Sequence, residues 1–244
     1  MLANEERYLS AALKAAELIA TKLVQPDNSI LHSYKNSKAT IDGFLEDYAH
    51  FADAAIELYQ VTMDDKWLLL AERISKYALE HFYDDNEKMF WFTSDKASDL
   101  VARKKEVFDN VIPSSNAVMG HFLFRLSLIT ENAGYFEITQ KMITKPGAQI
   151  KQYAASLYCW AQLMHELSGK FYEVVITGPE AGLYLRKIYA AGYPGKIVIA
   201  AENNSELPLL KGRFKDKKTM IYVCRNRVCN RPVENVEEAL EQLV

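Results

Sequence analysis

Glu46, Asp47, Tyr48 and His50 lie within five residues of one another, and a carboxylate three or four positions before a histidine on a helix can reach its imidazole. Such a pair does acid–base chemistry, because the carboxylate favours the charged ring and raises its pKa. Acidic residues in a first helical turn also complement the helix dipole with no chemistry at all, and Tyr48 serves equally as core. A second polar group, Asp109, Asn110, Ser114, Ser115 and Asn116, stands directly before an apolar run. Pro113 followed by Ser114 and Ser115 starts a helix, since a hydroxyl accepts from the exposed N–H groups and the proline restrains the entry. Capping uses one residue, so the others are surplus. Asn116, four residues before Gly120, either points its amide into a pocket with little bulk beside it or closes a local turn that needs no ligand. The third group is Cys224 and Cys229, which bracket "RNRV" with Arg225, Arg227 and Arg231 nearby to favour a thiolate. Their spacing permits a bond across a Cα separation of about 4.4–6.8 Å. It is not the two-residue gap of a redox-active Cys-x-x-Cys, and Cys159 alone offers no second pair for a metal. A redox pair and a pair of structural thiols both fit.

These residues need elements to hold them. Up to about residue 170 the apolar spacing is helical, with Leu9, Leu13, Ala16, Ala20 and Leu23 on one face of a first segment and Tyr48, Phe51, Ala55, Leu58 and Tyr59 on a second. Further helices are predicted over 64–82, capped by Asp64 or Asp65, and over 115–130, 133–144 and 149–168. That is six helices, or three antiparallel hairpins. "MFWFTSD" and "SDLVARKKEVF" read as the two strands of a surface hairpin. After 170, "FYEVVITG", "GKIVIA" and "TMIYVC" read as buried strands, with helices over 179–191 and in "NVEEALEQL". The organisation is a helical domain over 1–170 and a small α/β domain over 171–244. The loop "ENNSELPLLKGRFKDKK" between the second and third of these strands is expected to be solvated and is locally basic.

Composition narrows the function. A net charge of −3 with both signs dispersed gives no footprint for nucleic acid or an anionic membrane. No run of eighteen apolar residues and no signal peptide is present, and three cysteines are too few for a secreted disulfide framework, so the expected compartment is cytoplasmic. No phosphate loop of standard spacing occurs; in "VVITGPEAGL", Gly178 and Pro179 start a helix. No cofactor and no metal are implied.

The order of "GFLEDYA", "DDKWLLLAERI", "FYDDNEKMFWFTSD", "RKKEVFDNVIPSSNAV" and "YVCRNRVCNRPV" resembles the C-terminal part of the thioredoxin-domain proteins grouped with bacterial YyaL and animal spermatogenesis-associated protein. The resemblance implies a mainly α fold, a partial α/α-toroid of about three hairpins like that of six-hairpin glycosidases, with a small C-terminal α/β unit. The chain departs from the family's pattern at Lys88 and Met89, where glycines are usual, and at Ser115, where Pro-Ser-Gly-Asn is usual. In such a toroid the loops before the inner helices line a bowl. The implied function is to bind or convert a carbohydrate, with Asp47 and Asp109 as the catalytic pair and Glu46, Tyr48, His50, Trp91, Ser114 and Asn116 around the ligand; Trp91, with Phe90 and Phe92, either stacks on a sugar ring or packs against its own domain, as hairpin aromatics more often do. The alternatives are a non-catalytic structural or protein-interaction module and a thiol-redox accessory using Cys224 and Cys229. A closed six-hairpin ring needs about twelve helices. Six leave an open side for a second copy, for absent N-terminal domains, or for the α/β unit, unless the hairpins close on each other as a partial bundle.

Overall fold

The computed structural model describes residues 6–97, 102–169 and 171–243. Its first part is helical: α1 (Glu6–Lys22), α2 (Leu45–Thr62), α3 (Asp65–His81), α4 (Ser115–Thr130), α5 (Ala133–Met142), α6 (Thr144–Gln149) and α7 (Tyr158–Leu167). Two links have the same construction. Met63 and Glu131 turn the chain at φ of 58° and 52°, and Asp64 and Asn132 then cap the next helix by accepting from Lys66 N and Gly134 N. These two-residue links fold α2 against α3 and α4 against α5 as helical hairpins.

Three expectations change. The helix expected over 149–168 begins only at Tyr158; the segment before it forms α6, with Pro146 in its first turn, and one 3₁₀ turn at Ala154–Ser156. In the aromatic hairpin, β4 (Met89–Phe90) pairs with the preceding β3 (Tyr83–Asp84), and residues 102–108 form no strand although Phe92 N donates to Lys104 O. Residues 98–101 of the expected partner strand lie outside the described residues. An unexpected hairpin, β1 (Leu31–Lys35) with β2 (Lys38–Asp42), turns at Asn36 and Ser37, both at positive φ. Asn-Ser there does the work usually signalled by Asn-Gly.

The second part is a four-stranded sheet of β5 (Tyr172–Thr177), β6 (Lys196–Ala201), β7 (Met220–Arg225) and β8 (Val228–Cys229), ordered β6-β5-β7-β8, with α8 (Ala181–Ala190) and α9 (Val236–Glu241). β5 runs parallel to β6 and antiparallel to β7. Gly178 ends β5 at φ 125° with the backbone of Lys218 and Thr219 so close that a Cβ would overlap it. The side chains alternate between two cores. Val174, Ile176, Val198, Ile221 and Val223 pack with α8 and α9, whereas Val175, Ile197, Ile199, Met220 and Tyr222 join the core of the helical part. The open side of the half-ring is thereby covered by the sheet, with β6 alongside α2. Here α2 and α4 are the central helices: residues 114–124 are all buried, and Gln60 of α2 accepts from Val198 N and from the Tyr189 hydroxyl.

Candidate functional site: a polar cleft under the half-ring

Most of the residues expected at the bowl hold the backbone together. Asp109, 7% exposed, accepts from Ser114 N through Oδ1 and from Cys159 N through Oδ2, each at 2.9 Å. One carboxylate thus serves the N-termini of both α4 and α7. Ser114 is the N-cap of α4, and its hydroxyl also donates to Glu106 O. Asn116 is fully buried; it accepts from Phe90 N and donates to Phe90 O and Glu106 O, so it is a staple between α4 and the aromatic hairpin. Gly120, expected to leave room beside that amide, is where Leu163 of α7 packs against α4.

At the start of α2, Asp47 accepts from Phe44 N at 2.8 Å and meets His32 Nδ1 at 3.0 Å, so its imidazole partner is His32 and not His50. Glu46 beside it is half-buried. Tyr48 is core: its hydroxyl accepts from Ile30 N, its ring stacks on Tyr77, and burial pushes its pKa up. Trp91 is covered by Lys105, whose ammonium lies 3.8 Å from the ring centroid, with Arg103 at 5.1 Å. Phe90 is buried, and Phe92 stacks on Phe44. Neither Asp47 nor Asp109 lines the large cleft described next.

That cleft, of about 1080 Å³, lies between α2, α4 and α7 on one side and the α/β unit on the other. Each helix supplies a short polar stripe at helical spacing: His50 and Asp53, then His121 and Arg125, then Gln162, His165 and Glu166. Tyr193 and Arg225 close it from the α/β side. Arg125 binds Asp53 at 3.1 Å and Glu57 at 2.8 Å. His121 places Nδ1 3.0 Å from Glu166 Oε2 and Nε2 2.9 Å from Cys159 O. Both neighbours are acceptors, so both ring nitrogens carry protons and His121 is an imidazolium. Burial opposes that charge, but the hydrogen bonds to Cys159 and Glu166 and the Glu166 charge outweigh it, and the pKa stands at about 10. His50 is different: its Nε2 is buried at the cleft wall with no hydrogen-bond partner. Both carboxylates of the cleft are in ion pairs, Asp53 with Arg125 and Glu166 with His121. Among the described residues no cluster of His, Cys, Asp and Glu is arranged to hold a metal.

The stripes escaped the sequence reading because their partners are remote: His121 and Glu166 are 45 positions apart, and Asp53 and Arg125 are 72 apart. One signal was present. "NAVMGHFLFRLSLIT" carries a histidine and an arginine four apart in a helix otherwise apolar on all sides, and such a pair needs a polar neighbour in the interior.

No family model matches the chain. Spermatogenesis-associated protein 20 of Rattus norvegicus is 25% identical over 204 residues, 78% of this chain and 26% of that protein, and its Homo sapiens counterpart is 24% identical over 240 residues, 90% of this chain and 29% of that protein. The chain is similar to spermatogenesis-associated protein 20. It spans about a quarter of the length of the rat and mouse proteins. An uncharacterised Caenorhabditis elegans protein is 24% identical over 98% of the chain. Among solved structures, a GH76 alpha-mannanase of Bacteroides thetaiotaomicron matches with a TM-score of 0.51 and 13% identity over 83% of this chain and 58% of the mannanase. The chain therefore has a glycosidase-like fold, a partial α/α-toroid joined to a small α/β unit.

Proposed function

We propose that this chain binds a small carbohydrate in the cleft between the half-ring and the α/β unit, and binds it without cleaving it. The observation that carries the reading is His50, a residue of the cleft wall whose buried Nε2 has no hydrogen-bond partner. A rotation of the His50 ring that brings this nitrogen to the cleft lets a sugar hydroxyl satisfy it as donor or acceptor, and an unsatisfied buried polar atom costs about 1–3 kcal/mol until it is met. The glycosidase-like fold supports the ligand class. The engagement of Asp47, Asp109, Asp53 and Glu166 in hydrogen bonds and ion pairs supports binding without cleavage, since glycoside hydrolysis needs one carboxylate as acid and a second as base or nucleophile.

Calorimetry with mono- and oligosaccharides, mannosides included, tests this. A Kd of about 1 mM or tighter, some −4 kcal/mol, is expected for at least one sugar, with binding lost in His50→Ala and retained in Asp109→Asn. Absence of binding across the panel defeats the reading and leaves the structural or interaction module. Hydrolysis abolished by Asp47→Asn or Asp109→Asn defeats the claim that the ligand is left intact.

A further inference from the structure

The β7–β8 hairpin carries chemistry that the cleft does not use. Cys224 and Cys229 are Cα partners across it, 3.8 Å apart and closer than their spacing alone suggested, and their sulfurs are joined. Arg213, from the loop before β7, brings Nη1 to 3.5 Å from Cys224 Sγ and 3.3 Å from Cys229 Sγ. The arginine is held in place: its carbonyl accepts from the hydroxyls of Thr177 and Tyr222, and its guanidinium lies 5.0 Å from the Tyr222 ring centroid. A bond that only braces the hairpin has no use for a cation at both sulfurs. A guanidinium there stabilises whichever sulfur carries charge once the bond opens. The two sulfurs also differ in access, since Cys224 is 1% exposed whereas Cys229 is half-buried near the end of the hairpin.

We propose that Cys224–Cys229 is a reversible thiol-exchange site, opened by attack at Cys229 with Cys224 leaving as a thiolate beside Arg213. The co-reactant is a thiol, RSH. Its thiolate forms a bond to Cys229 Sγ, the Cys224–Cys229 bond breaks, and that electron pair goes to Cys224. A second RSH thiolate then attacks the outer sulfur of the mixed disulfide, releasing RSSR and the Cys229 thiolate, and the two thiol protons pass to the two cysteines. Two electrons move from two RSH to the protein. The turn at Asn226 and Arg227, φ 52° and 65°, keeps the freed thiols adjacent, so re-closure by an incoming disulfide has its second thiol in place. The acidic group facing the pair is Glu173, the Cα partner of Cys224 on β5. Burial raises its pKa, which weakens its competition for Arg213. Arg225 on the same strand is engaged with Gly169 O.

The test equilibrates the full chain in glutathione buffers of graded reduced-to-oxidised ratio, alkylates it while folded, and maps the labelled peptides. Cys229 should be labelled in the folded chain as the reduced fraction rises, whereas Cys224, 1% exposed, and Cys159, 6% exposed, should be labelled only after the alkylated chain is unfolded. Arg213→Gln should slow opening about tenfold and raise the pH midpoint of alkylation by about one unit, and Arg213→Lys should restore most of both. A pair that stays closed until the protein unfolds overturns the proposal, as does an Arg213→Gln protein matching the wild type in rate and pH profile. If Arg213→Gln fails to fold, the wild-type midpoint decides: below about 8.5 supports the proposal, and at or above it overturns it.

Discussion

His121 shows how a residue type becomes a role only through its partners. Its ring joins α4 to α7 by donating from both nitrogens, to the Glu166 carboxylate and the Cys159 carbonyl. The pKa in the folded chain, about 10, stands above the ordinary 6.5. The stabilisation from this group is therefore complete below about pH 6.5 and is lost as pH rises through 10, where the ring gives up one of its two donors. Thermal melts from pH 6 to 10 should show a decline that flattens in His121→Gln, with an imidazole titration by NMR placing the midpoint near 10. Asp109 makes the complementary point. A buried carboxylate before a helix could have been a catalytic acid, and it is instead the common acceptor of two helix ends. The sequence displays its position before α4 but not Cys159, 50 residues later, which makes the difference.

At the scale of elements, the helices were legible where both ends carried local signals. α3 and α4 begin where Asp64 and Ser114 stand, because an N-cap acts over two or three residues and is written in the chain. The expected helix over 149–168 failed because the N-terminus of α7 takes its acceptor from a remote loop, Asp109, leaving residues 150–157 free of the helix. The join of α2 to the sheet is likewise non-local. β6 is an edge strand, and Gln60 of α2 meets its outward-facing Val198 N–H at 2.9 Å, which closes the edge. Gln60→Leu leaves that N–H and the Tyr189 hydroxyl without their acceptor. The expected loss is about 2 kcal/mol of stability, with hydrogen exchange at Val198 accelerating more than at Val174 in the centre of the sheet.

For the molecule as a whole, the α/β unit does for the half-ring what further hairpins do in a closed toroid. One face of the sheet shares a core with the helices through Val175, Ile197, Ile199, Met220 and Tyr222, and Phe171 packs edge-on against Phe124 of α4. A chain ended at residue 170 exposes those partners on α2 and α4, and contiguous apolar surface of this kind drives association at roughly 25 cal/mol per Å². Light scattering of that truncated chain should show self-association and hydrophobic-dye binding well above those of the full chain at equal concentration. A monomeric, dye-silent truncation would mean that the helices close on themselves and that the sheet is an appendage.

The sequence by itself determined the helical first part, the small α/β second part and the resemblance to the spermatogenesis-associated protein family, because periodicity, caps and motif order are properties of neighbouring residues. It also named Asp47, Asp109, Asn116, His50, Cys224 and Cys229 as residues with chemistry to account for. Only the tertiary structure decided which of them are engaged and which are free. Asp109 and Asn116 bind backbone from other elements, His50 faces a cleft whose other wall lies some 140 residues away at Tyr193, and Arg213 arrives beside the cysteines from a separate loop. The physical reason is that hydrogen bonds and ion pairs act over about 3 Å in space, whatever their separation along the chain, so a polar residue's function is set by the neighbours that folding delivers to it.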